Sequence, residues 1–126
     1  MNERDQQHLE AAKASAQLAR QHVRAGGAKW RDNQMVVDAA AKRVEEVGEL
    51  LKRVTPAQQA AMPGIAWKQA KGMRERIAHD YGQIDLDILE GVVQNDLPTL
   101  IGQIDAALAS PAPDPNAKGN SGQQRQ

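Results

Sequence analysis

The chain contains no cysteine and no phenylalanine, and its 126 residues include only one tyrosine and two tryptophans. The lack of cysteine excludes disulfide scaffolds, zinc sites with thiolate ligands and cysteine nucleophiles. Because large aromatic side chains are so scarce, a core must be built from Ala, Leu, Ile, Val and Met, a mixture that favours helices over strands. The composition therefore predicts an all-α fold.

Long apolar segments are absent as well. No run approaches the roughly 20 residues needed to cross a bilayer, and the polar N-terminal residues do not resemble a secretory signal. We therefore expect a cytoplasmic protein without membrane association. The 16 Lys and Arg residues balance 16 Asp and Glu residues, which argues against a protein that binds nucleic acid over its whole surface.

The zero net charge conceals an uneven distribution along the chain. The first 76 residues carry fourteen Lys and Arg against nine acidic residues, whereas residues 77–117 carry seven acidic residues and no Lys or Arg. We interpret the first part as a basic region suited to a phosphate backbone, and the second as an acidic region suited to a basic protein surface.

Apolar residues recur at alternating spacings of three and four along most of the chain, which is typical of amphipathic helices. The clearest ladder predicts a long helix over residues 32–53, and a ladder of mostly small residues predicts another over residues 5–24. Further apolar stripes predict helices over residues 67–82, 85–93 and 97–108.

Two places carry the residues of a helix start. Thr55 precedes Pro56, and Gln58 completes a T-x-x-Q capping box. Asp96 precedes a Leu-Pro pair and predicts a second cap-and-proline start.

The composition changes abruptly after residue 109. Residues 110–126 contain no large apolar residue and are rich in Pro, Gly and Gln, so they are expected to form a disordered tail. The folded domain is therefore expected over residues 1–109, as a bundle of four or five helices.

The histidines give no indication of a metal site. His8 and His22 lie fourteen residues apart, about 21 Å along a helix, and His79 is remote in sequence from both. Solvated surface histidines are the simplest interpretation. The Gly26-Gly27 pair lacks the Lys-Ser/Thr continuation of a phosphate-binding loop, and we expect neither a metal nor a cofactor.

One segment carries residue types suited to RNA cleavage, since Arg74, His79 and Tyr81 form the pattern R-x4-H-x-Y. Arginine offers a planar fork for two phosphate oxygens. Histidine titrates near neutral pH and can take a proton from a 2′-hydroxyl or give one to a leaving oxygen. On an ideal helix Arg74 and His79 would point about 140° apart, so their convergence needs the long arginine side chain, a distorted helix or a second chain.

With its flanking sequences, this motif resembles the HepT-like branch of the HEPN superfamily over residues 30–108. The flanking blocks are Val-Gly-Glu at residues 47–49 and the stretch from Asp-Leu-Asp-Ile to Asn-Asp-Leu-Pro at residues 85–98. The resemblance implies a HEPN-type bundle that acts as a metal-independent endoribonuclease toxin. It also implies a C2 homodimer with a shared site, in which Arg74 binds phosphate and His79 handles protons.

The resemblance further implies a partner, a nucleotidyltransferase antitoxin of the MntA type that would modify Tyr81 with AMP. A bulky, negatively charged group two residues from His79 would repel and exclude the substrate phosphate. The simpler alternative is that Tyr81 is a structural aromatic residue on the apolar stripe.

Two carboxylates near the motif are candidate supporting residues. Glu75 stands where the family usually has a small polar residue, and it would weaken phosphate binding if it paired with Arg74. Glu49 is interpreted as a structural polar residue or as one that orients Arg74. The alternative function is therefore a catalytically weak HEPN domain that serves as a helical binding partner of the nucleotidyltransferase.

Overall fold

The computed structural model describes residues 1–78 and 82–109, and these residues form a helical bundle. Over these residues the structure contains helices and no strand, so the all-α fold predicted from the sequence is confirmed. The elements are α1 (Glu3–Gly26), a 3-10 turn (Trp30–Asp32), α2 (Gln34–Lys52), α3 (Pro56–Ala61), α4 (Trp67–Lys71), α5 (Met73–Ile77), α6 (Leu86–Gly91), a π-helical segment (Val92–Asp96) and α7 (Leu97–Ala109).

The two long helices α1 and α2 form an antiparallel hairpin. Ser15 bonds to Glu46 at 3.2 Å and His22 to Arg43 at 3.5 Å, so the contacts run in opposite order along the two helices. The small residues of α1 allow close packing against the apolar ladder of α2. The ladder predicted for α2 is confirmed, because all of its members are buried: Val37, Ala40, Val44, Val47, Leu51 and Val54.

Three further helices pack against this hairpin. α7 contacts α1, whereas α4 and α5 contact α2. Trp30 is buried and Trp67 is partly buried against the same core. The C-terminal half contributes the following buried side chains to the core: Leu89, Val92, Val93, Leu97, Leu100 and Ile104.

The cap at the start of α3 agrees with the sequence-based prediction only in part. The Thr55 hydroxyl accepts the Gln58 backbone N–H at 3.4 Å, as expected. The N–H of Thr55 is bound by the buried carboxylate of Asp5 at 3.0 Å, and the Thr55 hydroxyl donates to the same carboxylate at 2.7 Å. Asp5 thus takes the place that the capping box gives to the Gln58 side chain, which is buried without a hydrogen-bond partner among the described residues.

The prediction of a single helix over residues 67–82 is wrong. The helix is interrupted at Gly72, and its second part, α5, ends at Ile77. Ala78 is extended and forms an isolated antiparallel bridge with Ile84, and the N–H of Asp85 bonds to the carbonyl of Ile77 at 2.8 Å. The bond from Asp85 satisfies a carbonyl at the end of the helix, so the chain leaves the helix without a Gly or Pro signal.

The helix start predicted at Asp96 is also wrong. The N–H of Leu97 bonds to the carbonyl of Val92, an i to i−5 bond, and the helix passes from α6 through the π segment into α7 without interruption. Pro98 has no N–H to donate, and its ring would clash with the carbonyl four residues earlier in a regular α-helix. The wider π turn directly before Pro98 accommodates it inside a helix. The cap predicted at Asp85 is confirmed by its bond to the Ile88 N–H at 3.0 Å.

The described chain closes with α7, which ends at Ala109. The tail predicted over residues 110–126 lies outside the described residues. In the part of the chain that the structure describes, no helix has both the length and the apolar character to cross a membrane.

Candidate functional site

Arg74 lies in α5 between two buried apolar residues. Met73 and Ile77 of the same short helix are buried in the core, which determines the side of α5 that faces solvent. The Arg74 side chain is 57% exposed. It is therefore available to a ligand without any rearrangement of the core.

Close packing of α2 against α4 and α5 gives Arg74 a charged neighbour. Gly48 of α2 lies where this helix contacts α4, and an added Cβ there would be 3.4 Å from the carbonyl oxygens of both Ala70 and Lys71. One turn earlier on α2, Glu45 Oε2 lies 3.3 Å from Arg74 Nε. The arginine of the predicted motif therefore forms an ion pair between α5 and α2.

The two carboxylates considered as supporting residues lie elsewhere. Glu75 is exposed and makes no ion pair within residues 1–78 and 82–109. Glu49 lies beside Lys52, with 3.5 Å between Oε2 and Nζ. The contact with Arg74 is made by Glu45 instead, since this is the part of α2 that α5 approaches.

A cavity of about 320 Å³ opens between α2 and the described residues on either side of the gap at residues 79–81, from Arg74 to Ala78 and from Gly82 to Ile84. Gly82 adopts a φ of 81°, a left-handed conformation that glycine adopts at little cost. His79 and Tyr81 lie in sequence between Ala78 and Gly82, outside the described residues. The described residues that line the cavity include four charged ones and two at the ends of the gap, namely Asp38, Lys42, Glu45, Arg74, Ala78 and Gly82.

Sequence reasoning missed the contribution of α2 to this cavity. Asp38, Lys42 and Glu45 follow one another at spacings of four and three, so they share one stripe of the helix. That spacing was visible in the sequence. It could not show, however, which polar stripe of α2 faces α5.

Ion pairs join the basic and acidic regions of the sequence. Arg31 contacts Asp87 at 2.8 Å and Glu90 at 2.7 Å, and the hydrogen bonds to these carboxylates raise the pKa of Arg31. Arg76 contacts Asp96 at 2.9 Å. The two regions therefore neutralise each other at these positions and do not form wholly separate faces.

The other histidines are less solvated than expected. His8 and His22 are both half-buried, and His22 accepts a hydrogen bond from Arg43 at 3.5 Å. Over residues 1–78 and 82–109, no group of three His, Cys, Asp or Glu side chains is arranged to hold a metal ion.

Two proteins of archaea are similar to this chain over part of its length. One, named "Putative RNase MJ1380", from Methanocaldococcus jannaschii, is 26% identical over 74 residues, which are 59% of this chain and 68% of the relative. The other, named "Probable ribonuclease HepT", from Thermococcus cleftensis, is 28% identical over 67 residues, which are 53% of this chain and 61% of the relative. No solved structure matches the chain significantly.

A family model described as "Ribonuclease HepT-like" matches residues 12–107. The match includes α2, the whole R-x4-H-x-Y segment and nearly all of α7. It therefore covers well over half of the chain, including every residue of the candidate site. The chain belongs to the HepT-like ribonuclease family.

Proposed function

We propose that the chain is a metal-independent endoribonuclease toxin of a toxin–antitoxin system, with Arg74 and His79 as its catalytic residues. The observation that carries the proposal is the match to a ribonuclease family over residues 12–107, which includes both of them. The exposed position of Arg74 beside a cavity supports it.

Arg74 has the chemistry needed at the scissile phosphate. Its guanidinium is permanently charged and planar, so it can contact two phosphate oxygens at once. Negative charge grows on those oxygens as the 2′-oxygen attacks, and a fixed cation there stabilises the transition state. The 57% exposure of the side chain lets an RNA backbone reach it.

His79 would supply the proton transfers. It removes the proton from the 2′-hydroxyl, the 2′-oxygen forms a bond to phosphorus, and the bond from phosphorus to the 5′-oxygen breaks. A protonated imidazole then donates to the leaving 5′-oxygen, which leaves a 2′,3′-cyclic phosphate and a 5′-hydroxyl. RNA provides its own nucleophile in this reaction, so a metal-bound water is not required.

Two proton-handling groups are needed, and each chain has one histidine in the motif. A C2 homodimer would bring the histidines and arginines of two chains into one cleft. We therefore expect the active species to be a homodimer and the isolated monomer to be inactive.

The proposed off-switch is Tyr81, with an MntA-type nucleotidyltransferase as the cognate antitoxin. Transfer of AMP from ATP to the tyrosine oxygen would release pyrophosphate and place a negatively charged nucleotide two residues from His79. Repulsion and occlusion would then keep the substrate phosphate out.

A second candidate function is a catalytically weak HEPN domain that binds the nucleotidyltransferase. The observation in its favour is that Arg74 already has a carboxylate partner at 3.3 Å, while the carboxylate of Glu75 is adjacent in sequence. In this second function, both negative charges would oppose phosphate binding.

The two functions are separated by expressing the chain without a nucleotidyltransferase. We expect the wild type to degrade cellular RNA and stop growth, and we expect Arg74→Ala and His79→Ala each to lower the cleavage rate of the purified protein by about 100-fold or more. Arg24→Ala, which removes an exposed arginine of α1, is the matched control and should cleave normally. If growth and RNA stay intact in all of these strains, the binding-partner function is correct instead.

A further inference from the structure

We propose that Glu45 is a positioning residue that holds the Arg74 guanidinium in the orientation that binds RNA. This inference rests on the proposed ribonuclease function. It starts from one contact, the ion pair of 3.3 Å between Glu45 Oε2 and Arg74 Nε. The two residues belong to different helices, so the pair depends on the tertiary fold.

The nitrogen used in this contact matters. A guanidinium has one edge formed by Nε and a terminal nitrogen, and another edge formed by the two terminal nitrogens. Glu45 approaches Arg74 at Nε, in an ion pair without a hydrogen bond, so the two terminal nitrogens remain available for a bidentate contact with phosphate. A carboxylate can therefore orient this arginine without occupying the edge that a phosphate would use.

Glu45 also stands in the right place to act on the motif. It lines the cavity of about 320 Å³ together with Arg74 and Ala78, the last described residue before His79. The Glu45 side chain is only 36% exposed, whereas Arg74 is 57% exposed. Glu45, the less exposed side chain, thus limits the rotamers of Arg74. Arg74 therefore loses less conformational entropy when RNA binds.

Lys42 extends this arrangement. Its Nζ lies 3.9 Å from Glu45 Oε1, while Arg74 is next to Oε2. One carboxylate therefore holds two cations at the rim of one cavity. The charges of Lys42 and Arg74 balance those of Glu45 and Asp38, which also lines the cavity, so the cavity has no net negative charge that would repel a phosphate group.

The test measures binding and cleavage in a double-mutant cycle. Binding is measured by fluorescence anisotropy with a 2′-O-methyl RNA, which has no free 2′-hydroxyl and cannot be cleaved by the proposed reaction. Cleavage is measured with the unmodified RNA. We expect Glu45→Ala to weaken binding several-fold and lower kcat/KM about tenfold, whereas Glu45→Gln, which keeps the size of the side chain but loses its negative charge, should recover only part of the loss.

The effect must disappear when Arg74 is absent. In the Arg74→Ala background, Glu45→Ala should change neither binding nor residual cleavage, since a positioning residue acts only through the group that it positions. The matched control is Asp105→Ala, which removes another carboxylate paired between two helices, here with Lys13 of α1. It should bind and cleave as the wild type does.

Three results would overturn the positioning role. These are tighter binding by Glu45→Ala, an equal effect of Glu45→Ala with and without Arg74, and failure of the wild type to bind the 2′-O-methyl RNA. A different result rejects the ribonuclease function alone: the wild type binds the modified RNA but never cleaves the unmodified one. In that case the double-mutant cycle measured by RNA binding alone tests the role of Glu45.

Discussion

Gly26 shows how one missing side chain supports the turn between the two long helices. It is the last residue of α1, and a Cβ there would lie 2.8 Å from the Cβ of Trp30 and 3.1 Å from the methyl groups of Val36. Trp30 is buried and Val36 packs against the core, so neither can move away easily. Gly26 therefore lets the chain return directly from α1 towards α2.

Gly26→Ala is expected to destabilise the fold by about 1–3 kcal/mol, the usual cost of forcing an extra carbon into a packed site. The control is Gly102→Ala in α7, where an added Cβ meets nothing within 4 Å. That change should stabilise by about 0.5–1 kcal/mol, because alanine is the better helix former. Urea unfolding of both variants measures the difference. Equal stabilities for the two variants would show that the contact with Trp30 is not restrictive.

At the scale of helices, the sequence predicted the elements whose apolar spacing is long and regular. The ladder that predicted α2 spans six buried positions, and all but Val54 lie within the helix. The end of α5 could not be predicted, because Ile77 and Tyr81 continue the helical spacing in the sequence. The helix ends at Ile77 since Ala78 pairs with Ile84 instead, a contact that periodicity does not reveal.

The pairing of α1 with α2 has a polar component that depends on pH. Partial burial raises the pKa of Glu46, but hydrogen bonds from Arg43 and Ser15 outweigh burial and lower it below the ordinary 4.5. A carboxyl group with a lowered pKa stabilises the folded state above its ordinary pKa. That contribution is lost as the pH falls through the lowered folded value.

Glu46→Gln removes this titration. Wild-type stability should therefore decline more steeply than that of Glu46→Gln as the pH falls below about 4.5, and Ser15→Ala, which removes one of the two hydrogen bonds, should be intermediate. The measurement is the free energy of unfolding in urea across a pH series. Parallel pH dependence of the wild type and Glu46→Gln would contradict the account.

For the whole molecule, the distribution of charge differs from the sequence-based prediction. Arg31 and Arg76 are paired with carboxylates from the acidic region, whereas Arg74 and Lys42 surround a carboxylate of the basic region itself. The sequence selected Arg74 as a candidate from its motif. It could not identify Glu45 as its partner, because that contact depends on how α2 and α5 pack in the tertiary structure.

The family assignment and the exposed arginine underlie our central proposal, that this chain cleaves RNA through the 2′-hydroxyl without a metal. It is tested most directly by incubating the purified chain with RNA in excess EDTA and analysing the products by mass spectrometry. We predict cleavage in EDTA, products with 2′,3′-cyclic phosphate ends, and no cleavage of the same RNA carrying 2′-O-methyl groups. Cleavage that requires a divalent cation, or that leaves 3′-hydroxyl ends, would contradict the claim.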